Sequence, residues 1–204
     1  MPKIVDHEEQ RRLIAAAAVQ WIAAHGVETL SQRNVAQLAG RSKGNVQHYF
    51  PDKASLMFGA LRQVSDQREG RERSVPEGGD DPLGAITRRL HAVLPTDAER
   101  ADEWRVRLSL YVYAARDSEM QTYLANHARE VLERGVADLS AAQARGDVRA
   151  DVDPRVTYRR LSAAISGIAV AALANGGALS PGEQREMLDE VLRSIRPQAP
   201  PAAT

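Results

Sequence analysis

Apolar residues recur along most of this chain at spacings of three and four, the period of a helix with one buried face, and no β-hairpin signal interrupts them. In the first such stretch, about His7 to His25, Leu13, Ala17, Trp21 and Ala24 form one stripe with Ile14, Ala18 and Ile22 beside it, and Gly26 supplies the stop. Ser31 then caps a short helix from Gln32 to about Ala39, with Val35, Leu38 and Ala39 placed to face a core. Gly40 breaks the period. Ser42 caps a second short helix that ends in Tyr49-Phe50, with Val46, Tyr49 and Phe50 turned inward.

Helix caps mark the remaining elements more clearly than composition does. Asp52 caps a long helix from Lys53 to about Arg73, followed by the turn-rich SVPEGGDDP, a loop of the length that separates packed units. Asp81-Pro82 opens the next helix, and Thr96-x-x-Glu99 reads as a capping box for a helix through Trp104, Leu108 and Tyr111. A further helix runs from about Ser118 to Arg145 and stops at Gly146. Asp153-Pro154 starts one that ends at Asn175-Gly176-Gly177, and Ser180-Pro181-x-Glu183 is a second capping box. Pro197 and Pro200 close the last helix into a tail. The pattern predicts an all-α protein of about nine helices.

Charge sharpens this picture at one place. The chain holds 27 basic and 27 acidic residues, yet between Ser31 and Lys53 the basic residues Arg33, Arg41, Lys43 and Lys53 face the single acid Asp52. On the second short helix Lys43, Asn45, Gln47 and His48 offer donors and acceptors suited to base edges, Gly44 allows close approach, and Gln47 matches an adenine edge. Two short helices, a glycine turn and a basic surround are the sequence form of a DNA-reading helix-turn-helix.

Composition excludes several alternatives. With no cysteine there are no disulfides, thiolate metal sites or cysteine nucleophiles, and MPKIVDHEEQRR has no apolar run of the signal-peptide kind, so a cytoplasmic protein is expected. The five histidines, His7, His25, His48, His91 and His127, include no i, i+4 pair and no acidic partner at metal-ligand spacing. No enzyme activity, cofactor or metal is implied. Residues 161 to 182 carry no charge, which raises a membrane span, but their Ala, Ser, Asn and Gly content and the Asn175-Gly176-Gly177 break predict a buried helix instead.

The stretch RRLIAAAAVQWIAAHGVETLSQRNVAQLAGRSKGNVQHYFPDKASL, Arg11 to Leu56, resembles the TetR family of transcriptional regulators through its helix order, Ala39-Gly40, Ser42-x-Gly44, Tyr49-Phe50 and Lys53. Farther along, GDVRADVDPRVTYRRLSAAISG is similar to that family's entry into its dimerising helices, and Glu103-Trp104 with the helix after it is similar to the choline-responsive repressor branch. The resemblance implies a three-helix DNA-binding domain over 1–53 and a helical effector-binding and dimerisation domain over 54–204. It implies a homodimeric repressor released from a palindromic double-stranded DNA operator by a small-molecule effector, with the Lys53 helix as the lever between domains. It also implies that Ser42 and Lys53 hold phosphates while Arg33, Lys43, Asn45, Gln47 and His48 read bases beside Gly44, with the Tyr49 hydroxyl near a phosphate. The alternative is a helical ligand-binding or interaction protein of the same fold without a transcriptional role.

For the C-terminal half, Leu161, Ile165, Ile168 and Ala172 make an apolar stripe, to which the last helix adds Met187, Leu188, Val191, Leu192 and Ile195. These are the expected dimer seam, a four-helix interface formed by isologous pairing. Trp104, Leu108, Tyr111, Met120, Tyr123 and His127 fit a mostly apolar ligand wall with polar handles, and equally an ordinary core with His127 at its surface.

Overall fold

A computed structural model describes residues 7–74, 81–174 and 179–197. Among these the elements are α1 (His7–His25), α2 (Gln32–Leu38), α3 (Lys43–Tyr49), α4 (Lys53–Ser74), α5 (Pro82–His91), α6 (Ala98–Ala114), α7 (Ser118–Ala144), α8 (Pro154–Ala174) and α9 (Pro181–Arg193), with no strand. Most of SVPEGGDDP, the Asn175-Gly176-Gly177 stop and Pro200 lie outside the described residues. The chain forms two compact units, one of Met1–Gly70 with Ala98–Leu124, the other of Arg71–Asp97 with Ala125–Thr204. The division falls inside α4 and α7.

In the first unit, α1 packs against both α2 and α6. Ile14, Ile22, Val35, Val46, Phe50, Leu56 and Leu61 form one core with Leu110 of α6 and Met120 of α7. On α1 the buried face is Ile14, Ala15, Ala17, Ala18, Val19 and Ile22, rotated from the expected stripe, so that Leu13 and Ala24 are exposed and Trp21 is half-buried. Leu38 is exposed too, against expectation. At about 100° per residue the buried arc of α2 is centred between Val35, Ala36 and Ala39, and Leu38 lies well round the helix from it.

The second unit holds α5, most of α7, α8 and α9. Leu161, Ile165, Ile168 and Ala172 of α8 and Leu188, Leu192 and Ile195 of α9 are buried inside the single chain, with α8 packed on α9. This corrects the expected dimer seam, because that stripe is already used as core. α8 leaves Arg155, Val156, Arg159, Arg160, Ser162, Ala163, Gly167, Val170 and Ala174 exposed, and α9 leaves Met187 exposed. Close approach of α7 and α8 depends on Gly135, where an added Cβ would lie 1.9 Å from the Tyr158 ring. His91 Nε2 meets Asp189 Oδ1 at 2.8 Å, joining α5 to α9, and Arg155 pairs with Glu133 across α8 and α7 at 2.7 Å.

The capping signals divide. Asp81 caps α5 ahead of Pro82, and at Ser180 both halves of the capping box form. The box expected at Thr96 does not. The turn bond from Thr96 N–H to the Leu94 carbonyl delays α6 to Ala98, which moves Glu99 to the second helical position and leaves the Thr96 hydroxyl oxygen without a hydrogen bond. Among the described residues no helix is long and apolar enough to cross a membrane.

Candidate nucleic-acid interface

The candidate interface is built on two seven-residue helices, too short to persist alone. Side chains hold them from both ends. Ser31 Oγ accepts the Asn34 N–H at 3.2 Å and Ser42 Oγ accepts the Asn45 N–H at 3.1 Å, which supplies the two N-caps. Between the helices Gly40 adopts φ +62°, a left-handed turn that a side chain resists, and the Arg41 N–H donates to the Ala36 carbonyl at 2.9 Å.

Three side chains then tie down the segments around α3. Gln32 Nε2 donates to the carbonyls of Phe50 and Pro51 at 2.8 and 2.7 Å, clasping the exit of α3. Asn34 Nδ2 donates to the Thr29 carbonyl at 3.0 Å, and Lys53 Nζ to the Glu28 carbonyl at 2.7 Å. Phe50 is fully buried, with the Arg11 guanidinium 4.8 Å above its ring and Gly59 of α4 against it. A Cβ on Gly59 would lie 2.4 Å from that ring, so the glycine is what lets α4 approach the end of α3. At the start of α4, Asp52 Oδ1 accepts the Ser55 N–H at 2.7 Å while Ser55 Oγ accepts the Asp52 N–H at 3.2 Å. The backbone and hydroxyl of Ser55 hold the Asp52 carboxyl below its ordinary range.

With the scaffold fixed, Lys43, Gly44, Gln47 and His48 share one exposed face of α3, opposite buried Val46. Arg33 on α2 and Ser42 are also exposed. Asn45 sits differently, half-buried with its Oδ1 enclosed and without a hydrogen bond. Tyr49 is half-buried, its hydroxyl 3.1 Å from His7 Nδ1, and Lys53 is half-buried with its ammonium tied to Glu28. An ammonium carries three donors, so that bond leaves capacity for a phosphate.

Sequence reading missed Gln32, Arg11 and His7, and it left Arg41 open. Arg41 Nε donates to Gln10 Oε1 at 3.0 Å. These residues act across 18 to 42 positions of chain, and no local period or cap announces such a pairing.

The six candidate effector residues differ in their surroundings. Met120 is fully buried in the core of the first unit, and Tyr123 packs there edge-on to Phe58 at 5.3 Å. On α6, Trp104 is buried, Leu108 half-buried and Tyr111 exposed. The Arg107 guanidinium lies 4.5 Å over the Trp104 ring and its Nη2 donates to the Tyr111 hydroxyl at 3.4 Å. His127 belongs to the second unit and is half-buried.

Comparison with known proteins agrees with this architecture. A family model described as bacterial regulatory proteins, tetR family, matches residues 14–60, and one described as BetI-type transcriptional repressor, C-terminal, matches residues 82–197, more than half of the chain. The chain is 29% identical over 174 residues to the HTH-type transcriptional regulator PksA of Bacillus subtilis (strain 168), an alignment spanning 85% of this chain and 83% of that protein. A crystal structure of a transcriptional regulator from Rhodococcus sp. Rha1 matches with a TM-score of 0.78 at 29% identity, covering 91% of this chain and 95% of that one. A regulator from Saccharomonospora viridis, solved in complex with choline, matches with a TM-score of 0.81 at 22% identity over 94% of this chain and 100% of that one, a likeness of fold.

Proposed function

This chain belongs to the tetR family of bacterial regulatory proteins and is a helix-turn-helix transcriptional regulator, and on that premise we propose that it is a cytoplasmic homodimeric repressor released from a palindromic operator by a small effector. The observation that carries the reading is the exposed face of α3, where Lys43, Gly44, Gln47 and His48 stand together on a scaffold clasped at both ends. In a dimer, two such helices enter successive major grooves about one helical turn apart. Gln47 and His48 read base edges with Arg33, Lys43 and Asn45, Gly44 lets the helix approach closely, and Ser42, Lys53 and the Tyr49 hydroxyl hold phosphates.

Dimerisation is assigned to the exposed, uncharged positions of α8, Ala163, Gly167 and Val170, with Met187 of α9. Small side chains there permit close helix packing, and a two-fold axis pairs the patch with itself. Release follows from effector binding that favours one arrangement of the dimer over another. Inside the first unit α4 is the lever, because Gly59 and Phe50 make its position that of the end of α3.

The effector is a small amphipathic compound. Choline, a quaternary amine bound by the Saccharomonospora viridis regulator, is the compound to compare it with. Arg107 already covers one face of Trp104, which supports a neutral or acidic effector at that residue over a quaternary amine. Selection of bound duplexes from random DNA, followed by gel shifts at low and moderate salt, tests the reading. A palindromic consensus is expected, and binding without any sequence preference would favour a helical ligand-binding or interaction protein without a transcriptional role.

A further inference from the structure

The end of α3 meets the beginning of α1 in a cluster of three titratable rings. His7 Nδ1 lies 3.1 Å from the Tyr49 hydroxyl, with the two rings tilted at a centroid distance of 5.8 Å. The His48 ring stands edge-on to Tyr49 at 5.0 Å and 6.4 Å from His7. His7 and His48 are exposed and Tyr49 is half-buried, so the cluster is open to solvent on the face that carries the base-reading side chains.

The bond between His7 and Tyr49 runs in either of two directions, and the direction decides what Tyr49 offers to DNA. When the neutral imidazole keeps its proton on Nε2, the Tyr49 O–H donates to Nδ1 and its only proton is taken. A phosphate oxygen is purely an acceptor and then finds no donor on the phenol. When the imidazole is protonated, Nδ1–H donates to the Tyr49 oxygen, the phenolic proton turns outward, and a positive charge stands behind it. Heavy atoms need not move between the two states.

We propose that His7 is a positioning residue for Tyr49 in DNA binding, and that protonation of His7 frees the Tyr49 hydroxyl for a backbone phosphate and so couples DNA affinity to pH. The inference rests on reading Tyr49 as a phosphate contact. Among the described residues, the charged and titratable groups near His7 are Glu8, Glu9 and Arg11 on α1 and His48 and Tyr49 on α3, with the Arg11 guanidinium also 3.5 Å from the Tyr49 carbonyl. These groups belong to the chain with and without DNA. The charge that differs is the phosphate itself, and linkage requires that a phosphate which favours the protonated ring be bound more tightly by it.

The test measures affinity of the full chain for a 30-base-pair random-sequence duplex at fixed ionic strength from pH 8 to pH 6, the window in which histidine ordinarily titrates. His48 is a second imidazole on the same face, so the series is run in a His48→Gln background. There, binding should tighten about fivefold toward pH 6, as expected when one further charge-assisted hydrogen bond forms to the backbone. His7→Gln, whose amide donates to the Tyr49 oxygen without titrating, should hold affinity near the pH 6 level and flatten the profile to less than about twofold. His7→Ala should flatten it at the weaker, pH 8 level. A profile unchanged by His7→Gln, with Tyr49→Phe still weakening binding, overturns the proposal while leaving the Tyr49 contact intact. Full affinity in Tyr49→Phe at pH 6 overturns the phosphate contact itself, and the proposal with it.

Discussion

α3 and α8 each bury one face in their own unit and leave another open, yet the open faces are opposites. On α3 it is Lys43, Gly44, Gln47 and His48, and on α8, beyond exposed Arg159 and Arg160, it is Ala163, Gly167 and Val170, none of them charged. The buried sides are alike, since both units close by laying an aromatic ring on a helical glycine, Phe50 on Gly59 and Tyr158 on Gly135. Packing therefore does not distinguish the units. Their exposed chemistry does, polar hydrogen-bonding groups suiting a polyanion on one and small apolar groups suiting a second copy on the other.

The comparison breaks most violently at Ile165. Being core, Ile165→Glu should destabilise its unit by several kcal/mol, about 3–5 when a charge is buried without a partner, and thermal unfolding followed by circular dichroism should show it. Val170→Glu, five residues on and exposed, should melt as the parent does but elute as a monomer. A dimer of unchanged mass by light scattering for Val170→Glu would move the interface off this face of α8.

Gly59→Ala asks the same question of the first unit. A methyl group overlapping the Phe50 ring should cost about 1–3 kcal/mol, and because the ring closes the end of α3, DNA affinity should fall by more than the folded fraction does. Loss of binding strictly in proportion to unfolding would show that α4 does not govern the setting of α3.

Within the α3 face, reading and positioning separate by their salt and sequence dependence. Gln47→Ala should relax preference at one base pair by about 1–3 kcal/mol and leave the salt slope alone, whereas Lys53→Ala should weaken all duplexes alike and lower the slope by about one. Lys53 also braces the Glu28 carbonyl, but losing a brace does not change the number of counterions released. Equal loss of sequence preference in the two variants would collapse the distinction.

The smallest effect lies at Asp52. Its carboxyl is held below the ordinary value of 3.8 by Ser55, so the cap's contribution is present above the unfolded-state value and is lost as pH falls through the lower folded value. Melting temperature measured from pH 6 to pH 3 should fall less steeply in Asp52→Ala than in the parent. Parallel curves would assign the start of α4 to packing alone.

Much of this was legible in the chain because the signals are local. Caps at Ser31, Ser42, Asp52, Asp81 and Ser180 act within three residues, and each forms where the sequence places it. The exposed face of α3 was legible for the same reason, since a seven-residue helix with one buried valine has little freedom in what it turns outward. The box at Thr96 was misread because a turn bond from the preceding loop shifted the helix start by one residue.

Two kinds of fact needed the tertiary structure. One is rotation: α1 and α8 carry apolar residues on more than one stripe, and only the neighbours packed against them decide that Ile14 and Ile165 go inward while Leu13 and Val170 stay out. The other is convergence over distance. Gln32 on Phe50, Arg11 over the same ring and His7 on Tyr49 join residues that no period relates, and Met120 is core because α6 and the start of α7 fold back onto the first four helices. Sequence determined the helices and the chemistry of their faces, for these depend on nearest neighbours along the chain. Which faces meet is set by long-range packing, where apolar burial is non-directional and several stripes compete for the same core.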